Sequence, residues 1–230
     1  MFTSGTIFSR RNKCLFLAIF STVLFFILLL NIGVFSSVPT YTGELCKLDE
    51  IQVQGSFDRK KFAGNWYATF TKGLDNSLLA NLLDFYDVKT NFILTDNGDF
   101  DIKSVGGKFY GMWCPEGLGH MSAEDKEYPQ KLAIFFDTPT GKQFGTKPVW
   151  VLKTDYKSYA VMYSCWDETE DGRCKAKSAY IAVLQRNKEQ LPSEKMDEIN
   201  SVVARSCINP KALRQLKHDG YCKSNQDAIS

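Results

Sequence analysis

Residues Phe57 to Phe70 read FDRKKFAGNWYATF, a short charged segment followed by a β-strand pattern. Successive side chains of a strand point to opposite faces, so Trp66, Ala68 and Phe70 fall on one face. Gly64 lacks a Cβ atom and therefore permits another part of the chain to approach closely. The stretch predicts that a domain begins here with a strand whose Trp66 face is packed.

Strand-like segments continue along the chain at nearly regular spacing, with Gly, Pro, Asn and Asp in the gaps. Asn97-Gly98 is a strong signal for a tight hairpin between two of them. The predicted strands are 64–70, 86–95, 99–105, 108–121, 131–137, 148–154, 159–165 and 178–186. This spacing predicts an all-β meander that closes as a barrel or a sandwich.

One helix is predicted after the strands. Ser193 is suited to the N-cap position, and Met196, Ile199 and Val202 recur at helical spacing. Pro210 cannot continue a helix. We expect this helix to pack against the outside of the strands.

The N-terminal segment has the composition of a targeting sequence. Cys14 to Phe35 is almost entirely apolar, contains no charge and follows three basic residues. Residues 1–36 are therefore interpreted as a secretory signal peptide or a type II membrane anchor. Val34 and Ser36 are small residues that favour cleavage before Ser37, whereas the apolar run is also long enough to span a bilayer.

Either fate delivers the domain to an oxidising compartment, where cysteines form disulfides. Of the seven cysteines, Cys14 lies in the targeting segment, and the other six permit 15 pairings. Cys165 and Cys174 are the easiest pair to predict, because Asp171-Gly172 between them is a turn signal. Loss of the segment would change the net charge from +2 to about −1, and nothing in this balance indicates a nucleic-acid partner.

Two stretches of the chain lack the pattern of a strand or a helix. Residues 37–56 lack a regular pattern and form an N-terminal arm, which Cys46 would fasten covalently. Residues 72–85 contain apolar side chains without a clean period, among them Leu79 and Leu83. These side chains either cap the core or form the lip of a pocket, and both interpretations place the loop over an apolar interior.

Three separated motifs resemble those of the lipocalin family. Gly64-Asn65-Trp66 resembles the first lipocalin signature, Thr154-Asp155-Tyr156 the second, and Arg186 at the end of the last strand the third. The resemblance covers residues 57–222 and implies an eight-stranded antiparallel up-and-down barrel with one C-terminal helix packed outside, followed by a tail of residues 223–230. It also implies structural roles, with Arg186 packed across Trp66 at the closed end of the barrel.

Within the family, the sequence is most similar to the plasma retinol-binding proteins. FDRKKFAGNWYA, TDYKSYAVMYSCWDETEDGRC and HDGYC carry this similarity. It implies three disulfides, which join Cys46 to Cys207, Cys114 to Cys222 and Cys165 to Cys174.

The resemblance, combined with strand alternation, also predicts the interior of the barrel. The expected ligand-binding residues are Ala68, Phe70, Leu79, Leu83, Phe92, Ile102, Ser104, Ile134, Phe136, Val151, Met162, Tyr180 and Ala182. Thr90 and Ala160 are also expected to point inward. None of these is charged, and an unpaired charge buried among them would be costly. A neutral, elongated apolar ligand with at most one hydroxyl or carbonyl, such as retinol, fits this lining.

The predicted function is that of an extracellular carrier for a small hydrophobic ligand. The similarity implies no cofactor other than the bound ligand, and a carrier or receptor protein is a further partner consistent with it. Alternatives are a membrane-anchored lipocalin that scavenges lipids, and a lipocalin enzyme that converts a lipid. His120 and His218 are the only histidines, and no paired-carboxylate, metal-spaced or phosphate-binding motif is evident, so we predict no catalytic residues and no metal site.

Overall fold

The computed structural model describes residues 45–73, 86–108, 112–137, 142 and 145–222. The predicted signal peptide or anchor, the beginning of the N-terminal arm and the C-terminal tail therefore lie outside the described residues. So do Leu79 and Leu83. Within the described part of the chain, no helix is long and apolar enough to cross a membrane.

Eight strands form a closed antiparallel barrel in which each strand pairs with its neighbours in sequence. The pairing of the first strand with both the second and the eighth closes the barrel. The strands are β1 (Gly64–Lys72), β2 (Tyr86–Leu94), β3 (Phe100–Gly107), β4 (Glu116–Ala123), β5 (Lys131–Phe136), β6 (Lys147–Thr154), β7 (Tyr159–Cys165) and β8 (Ala179–Gln185). The predicted up-and-down barrel is confirmed. A two-residue strand, β9 (Arg214–Gln215), adds to the edge of β1.

The alternation of side chains divides the apolar residues between two clusters. The inner cluster lies inside the barrel and includes Trp66, Phe92 and Met162. The outer cluster lies between β6, β7 and β8 and the C-terminal helix, and includes Tyr159 and Ile199. The two clusters define which face of each strand is available to a ligand.

A register shift in β1 changes the face of one predicted ligand residue. The pairing of β1 with β8 slips between Ala68 and Phe70, which is the signature of a β-bulge. The extra residue reverses the alternation, so Phe70 packs against the outer cluster. The prediction that Phe70 points into the interior is therefore wrong. Thr71 takes the inward position, directly opposite Ala182 of the inner cluster.

The C-terminal helix packs outside the barrel, as predicted. Two helices are described, α1 (Arg59–Phe62) and α2 (Ser193–Arg205), together with short 3-10 turns at Leu48–Glu50 and Pro210–Ala212. Helix α2 buries Ile199, Val202 and Val203. Its N-cap is Pro192 and not Ser193, which is instead the first helical residue. The predicted cap was wrong because Pro fixes an extended residue immediately before the helix.

Three disulfides fasten the segments that flank the barrel. Cys46 joins Cys207, which ties the arm to the residues just after α2, and Cys114 joins Cys222, which ties the C-terminal segment to the β3–β4 connection. Cys165 joins Cys174 across the β7–β8 turn. This is the pairing that the resemblance implies, and it fits an oxidising compartment. The predicted strand 108–121 is shorter in the structure, because β4 begins only at Glu116.

Candidate ligand-binding site

Trp66 closes one end of the barrel. Its side chain is fully buried, and its indole Nε1 donates a hydrogen bond to the Phe62 carbonyl at 2.7 Å. The Phe62 ring lies 5.3 Å from the indole and 5.1 Å from Phe92, between centroids. Phe62 of helix α1 thus fills the closed end of the barrel, and Trp66 forms the floor of the interior.

Arg186 covers the outer side of this floor. Its guanidinium carbon lies 3.8 Å from the centroid of the Trp66 ring, a cation–π geometry. The same guanidinium donates to four carbonyl groups, at 3.0 Å to Asn65, 3.1 Å to Tyr156, 2.7 Å to Lys61 and 3.2 Å to Phe62. Arg186 therefore joins α1, β1 and the β6–β7 turn, and it does not face the interior.

The Thr154-Asp155-Tyr156 motif forms the turn that Arg186 contacts. Tyr156 has a positive φ of 64°, which its hydrogen bonds stabilise: its hydroxyl donates to the Ser56 carbonyl at 3.0 Å and accepts from the Asp58 amide at 2.9 Å. Thr154 donates to the Tyr159 carbonyl at 2.8 Å. The three sequence motifs thus meet at the closed end, where their contacts join α1, β1 and the β6–β7 turn.

Asp155 holds this turn through its carboxylate. It accepts backbone N–H groups of Lys157, Ser158 and Tyr159 at 3.1, 2.7 and 3.0 Å. Partial burial alone would raise the pKa of Asp155, but the Ser158 hydroxyl and these backbone donors outweigh it and lower the pKa to about 2. The charged carboxylate is therefore the form that the folded turn favours.

A pH dependence follows from this shift. The folded-state pKa of Asp155 lies below its ordinary value of 3.8, so its contribution to stability is present above about pH 4 and is lost as the pH falls towards 2. We expect Asp155→Asn to lose this component, so that the free energy of unfolding varies less between pH 4 and pH 2 than in the wild type. Chemical denaturation across that range measures it. Asp96→Asn, in the exposed β2–β3 turn, is the control, and an unchanged acid profile in Asp155→Asn would contradict the assignment.

The structure places most of the predicted ligand residues inside the barrel. Those that belong to or pack against the inner cluster are Ala68, Phe92, Ile102, Ile134, Phe136, Val151, Met162, Tyr180 and Ala182. Ser104 lies two residues after Ile102 on β3 and therefore shares its face. Ala160 also belongs to this cluster. Their role in ligand binding stays a prediction.

Several interior residues were missed from the sequence. The inner cluster also contains Phe62, Phe100, Met121, Leu132, Leu184 and Leu216, with Val88 and Leu94 packed against it. On β4, Gly117 lies directly opposite Ser104 and Gly119 opposite Ile102, so both glycines face inward. The inward direction of the two glycines follows only from their pairing with β3, because a glycine has no side chain that could contribute to a hydrophobic pattern. At these two positions the wall formed by β4 carries no side chain.

Two of the buried charged groups of the described chain, Lys72 and Asp87, lie outside the interior. Lys72 donates to the Ala176 carbonyl at 3.0 Å and also to Ala179, on the outside of the β7–β8 connection. Asp87 accepts from the Gly220 and Cys222 amides of the C-terminal segment. At the open end of β6, the Lys147 ammonium donates to the Trp166 carbonyl at 3.3 Å. The interior therefore offers an apolar surface with a few hydroxyl groups.

Comparison with known proteins agrees with the fold and the motifs. The family described as "Lipocalin / cytosolic fatty-acid binding protein family" matches residues 119–208. These include the second and third motifs, and the first motif closes the barrel beside them. The chain is therefore similar to the lipocalin family in its barrel and in its three motifs.

Curated relatives align with most of the chain at low identity. Chicken (Gallus gallus) "Retinol-binding protein 4" is 28% identical over 181 residues, which cover 77% of this chain and 87% of the relative. Chicken "Purpurin" is 28% identical over 164 residues, which cover 70% of this chain and 80% of the relative. The first of these relatives is named for the binding of retinol.

Solved structures share the barrel of this chain. Apocrustacyanin C2 superposes with a TM-score of 0.59 at 19% identity, covering 74% of this chain and 86% of that chain. Lobster apocrustacyanin A1 gives the same TM-score and identity, covering 75% of this chain and 86% of that chain. At such identities the similarity shows the fold alone.

Proposed function

We propose that this protein is a secreted carrier that holds retinol, or a closely related neutral retinoid, inside its barrel. The observation that carries the proposal is the inner face itself. Apolar side chains from all the strands line it, and the deeply buried charges Lys72 and Asp87 are bound to backbone groups outside it. Among the described residues no cation faces this surface, so a buried carboxylate ligand would lack a partner there. A neutral polyene alcohol carries no charge and avoids this cost.

The curated relatives support a retinoid over other apolar molecules. The two chicken proteins include one named for retinol binding, and the alignment extends over most of both chains. This chain departs from the retinol-binding pattern at three positions: Val149 and Met162 stand where the resemblance implies polar residues, and Ala182 where it implies an aromatic residue. A carotenoid, a sterol or another lipid therefore remains the alternative ligand.

The experiment is purification of the protein from a eukaryotic secretion host, followed by mass spectrometry of its organic extract. We expect retinol or a neutral retinoid in stoichiometric amount, and a mature chain that begins near Ser37. Recovery of a charged lipid as the bound species would contradict the proposed ligand. Retention of the full N-terminal segment in cell membranes would contradict secretion.

The membrane-anchored scavenger stays as a second candidate, because the apolar run from Cys14 to Phe35 has the length of a membrane span. N-terminal sequencing decides between the two.

An enzyme that uses a cysteine of the mature domain is not supported, since all six of its cysteines are in disulfides. Titration of free thiols in the secreted protein tests this directly, with none expected.

A further inference from the structure

Most of the inward hydroxyl groups in the described part of the chain donate their proton to the protein itself. Thr71 Oγ1 donates to the Ile181 carbonyl at 2.9 Å, and Ser164 Oγ donates to the Pro148 carbonyl at 2.6 Å. Ser164 alternates with Met162 on β7 and therefore shares its inward face. A carbonyl oxygen can only accept, so both hydroxyl protons are already in use.

The inward hydroxyl groups of β2 and β3 are satisfied in the same way. Ser104 Oγ donates to the Lys89 carbonyl at 3.3 Å and lies 3.0 Å from Thr90 Oγ1. Since the Ser104 proton goes to the carbonyl, the proton between the two hydroxyls is that of Thr90. Neither side chain keeps a proton for a ligand.

Tyr180 of β8 differs from these side chains, because no described residue accepts its proton. Its ring packs against the inner cluster and lies directly opposite Ser164 of β7, so it faces the interior. Tyr180 keeps part of its surface accessible, whereas the hydroxyl of Tyr159 on the outer face is buried without a partner among the described residues. The Tyr180 phenol therefore offers a free O–H group to the space inside the barrel.

The environment of Tyr180 keeps this phenol protonated. Burial raises its pKa, because the phenolate would lose hydration. The nearby Thr71 hydroxyl lowers the pKa by favouring the phenolate, but it does not outweigh burial. The group is therefore a neutral hydrogen-bond donor and not an anion.

We propose that Tyr180 donates a hydrogen bond to an oxygen atom of the ligand, and that this contact distinguishes an oxygen-bearing ligand from its hydrocarbon counterpart. An alcohol, aldehyde, ketone or ether oxygen can each accept this bond, whereas a hydrocarbon leaves the buried donor without a partner at a cost in desolvation. Tyr180 is the second residue of β8, and Arg186 follows the opposite end of that strand, over Trp66. The bound oxygen thus lies towards the open end of the barrel. This role rests on the proposed function and assigns the residue that positions the polar end of the retinoid.

The test removes only the hydroxyl group of Tyr180. Retinol, retinal and axerophthene, the retinoid hydrocarbon in which hydrogen replaces the hydroxyl group, are titrated into the full mature domain and into its Tyr180→Phe variant. We expect Tyr180→Phe to weaken the binding of retinol and of retinal about three- to tenfold, which is the range for one net hydrogen bond. Axerophthene should bind the variant at least as tightly as the wild type, because it makes no hydrogen bond that the substitution could remove.

Tyr163→Phe is the matched control. Tyr163 lies on β7 and belongs to the outer cluster, so the substitution removes the same hydroxyl group from outside the interior. We expect the affinities of all three retinoids to stay at the wild-type level. Equal losses of retinol affinity in Tyr163→Phe and Tyr180→Phe would overturn the role of Tyr180, since they would reflect a general effect on the barrel.

A second ligand pair separates this role from the choice of a retinoid. Diphenylhexatriene is a neutral, elongated hydrocarbon that fluoresces in apolar surroundings, and its methoxy derivative adds one acceptor oxygen. If no retinoid binds but Tyr180→Phe weakens only the methoxy derivative, the retinoid is refuted and the role of Tyr180 is retained. If the retinoids bind and Tyr180→Phe weakens none of them, or weakens axerophthene as much as retinol, the role of Tyr180 is refuted and a retinoid carrier remains. Absence of binding in both ligand series would overturn both proposals.

Discussion

Trp66→Ala is expected to lower the free energy of unfolding by about 3–5 kcal/mol, the range for truncating a large buried aromatic side chain. Trp66 is fully buried, contacts Phe62 and lies under the Arg186 guanidinium. Its loss leaves a cavity in the floor of the barrel and removes the hydrogen bond to the Phe62 carbonyl. Urea denaturation monitored by far-UV circular dichroism measures the change.

Trp113→Ala is the matched control, because it deletes the same side chain from a site that is 56% exposed. Its effect should stay within about 0.5 kcal/mol, as for most surface substitutions. A Trp66→Ala variant as stable as Trp113→Ala would show that the closed end does not hold the barrel together.

Gly117→Phe is expected to weaken binding of a neutral apolar ligand roughly tenfold to a hundredfold. The new ring would displace ligand contacts whose free energy is about that of burying one apolar side chain. Gly117 faces inward opposite Ser104. A Cβ atom placed there would meet the Ser104 Cβ at 3.7 Å, an ordinary contact, so the backbone accepts a side chain. The phenyl group then takes space inside the barrel. Fluorescence titration with retinol, beside a thermal melt for each variant, measures the effect.

Leu118→Phe is the control for this experiment. Leu118 is the next residue on β4, points outward and is 47% exposed, so the same new side chain leaves the interior unchanged. We expect wild-type affinity and stability from Leu118→Phe. Equal losses of affinity in both variants, or none in Gly117→Phe, would show that the ligand does not occupy the space beside this strand.

The barrel could be predicted from the sequence because two local signals agree from the first strand to the last. Alternation of apolar residues marks the strands, and the turn residues between them, such as Asn97-Gly98, mark their ends. The three motifs then predict which end is closed, and Trp66, Tyr156 and Arg186 do meet there. Most interior positions follow from alternation once the face of Trp66 is assigned.

The failures arise where the period of two breaks or where a residue has no side chain. Phe70 was assigned to the interior because regular alternation was assumed past Ala68. The β-bulge between Ala68 and Phe70 breaks that alternation, and no residue in the stretch indicates it. Gly117 and Gly119 shape one wall of the site, yet their inward direction appears only from their pairing with β3. The directions of the hydroxyl protons likewise depend on carbonyls brought close by the fold, as with Ser164 and Pro148.

Titration with retinol beside a charged lipid tests most directly whether the interior of the barrel binds a neutral, elongated apolar molecule. Retinol fluorescence should rise to saturation at one equivalent of the mature domain, and oleate should neither bind at the same concentrations nor displace the retinol. Absence of saturable retinol binding, together with tight binding of oleate, would contradict the account.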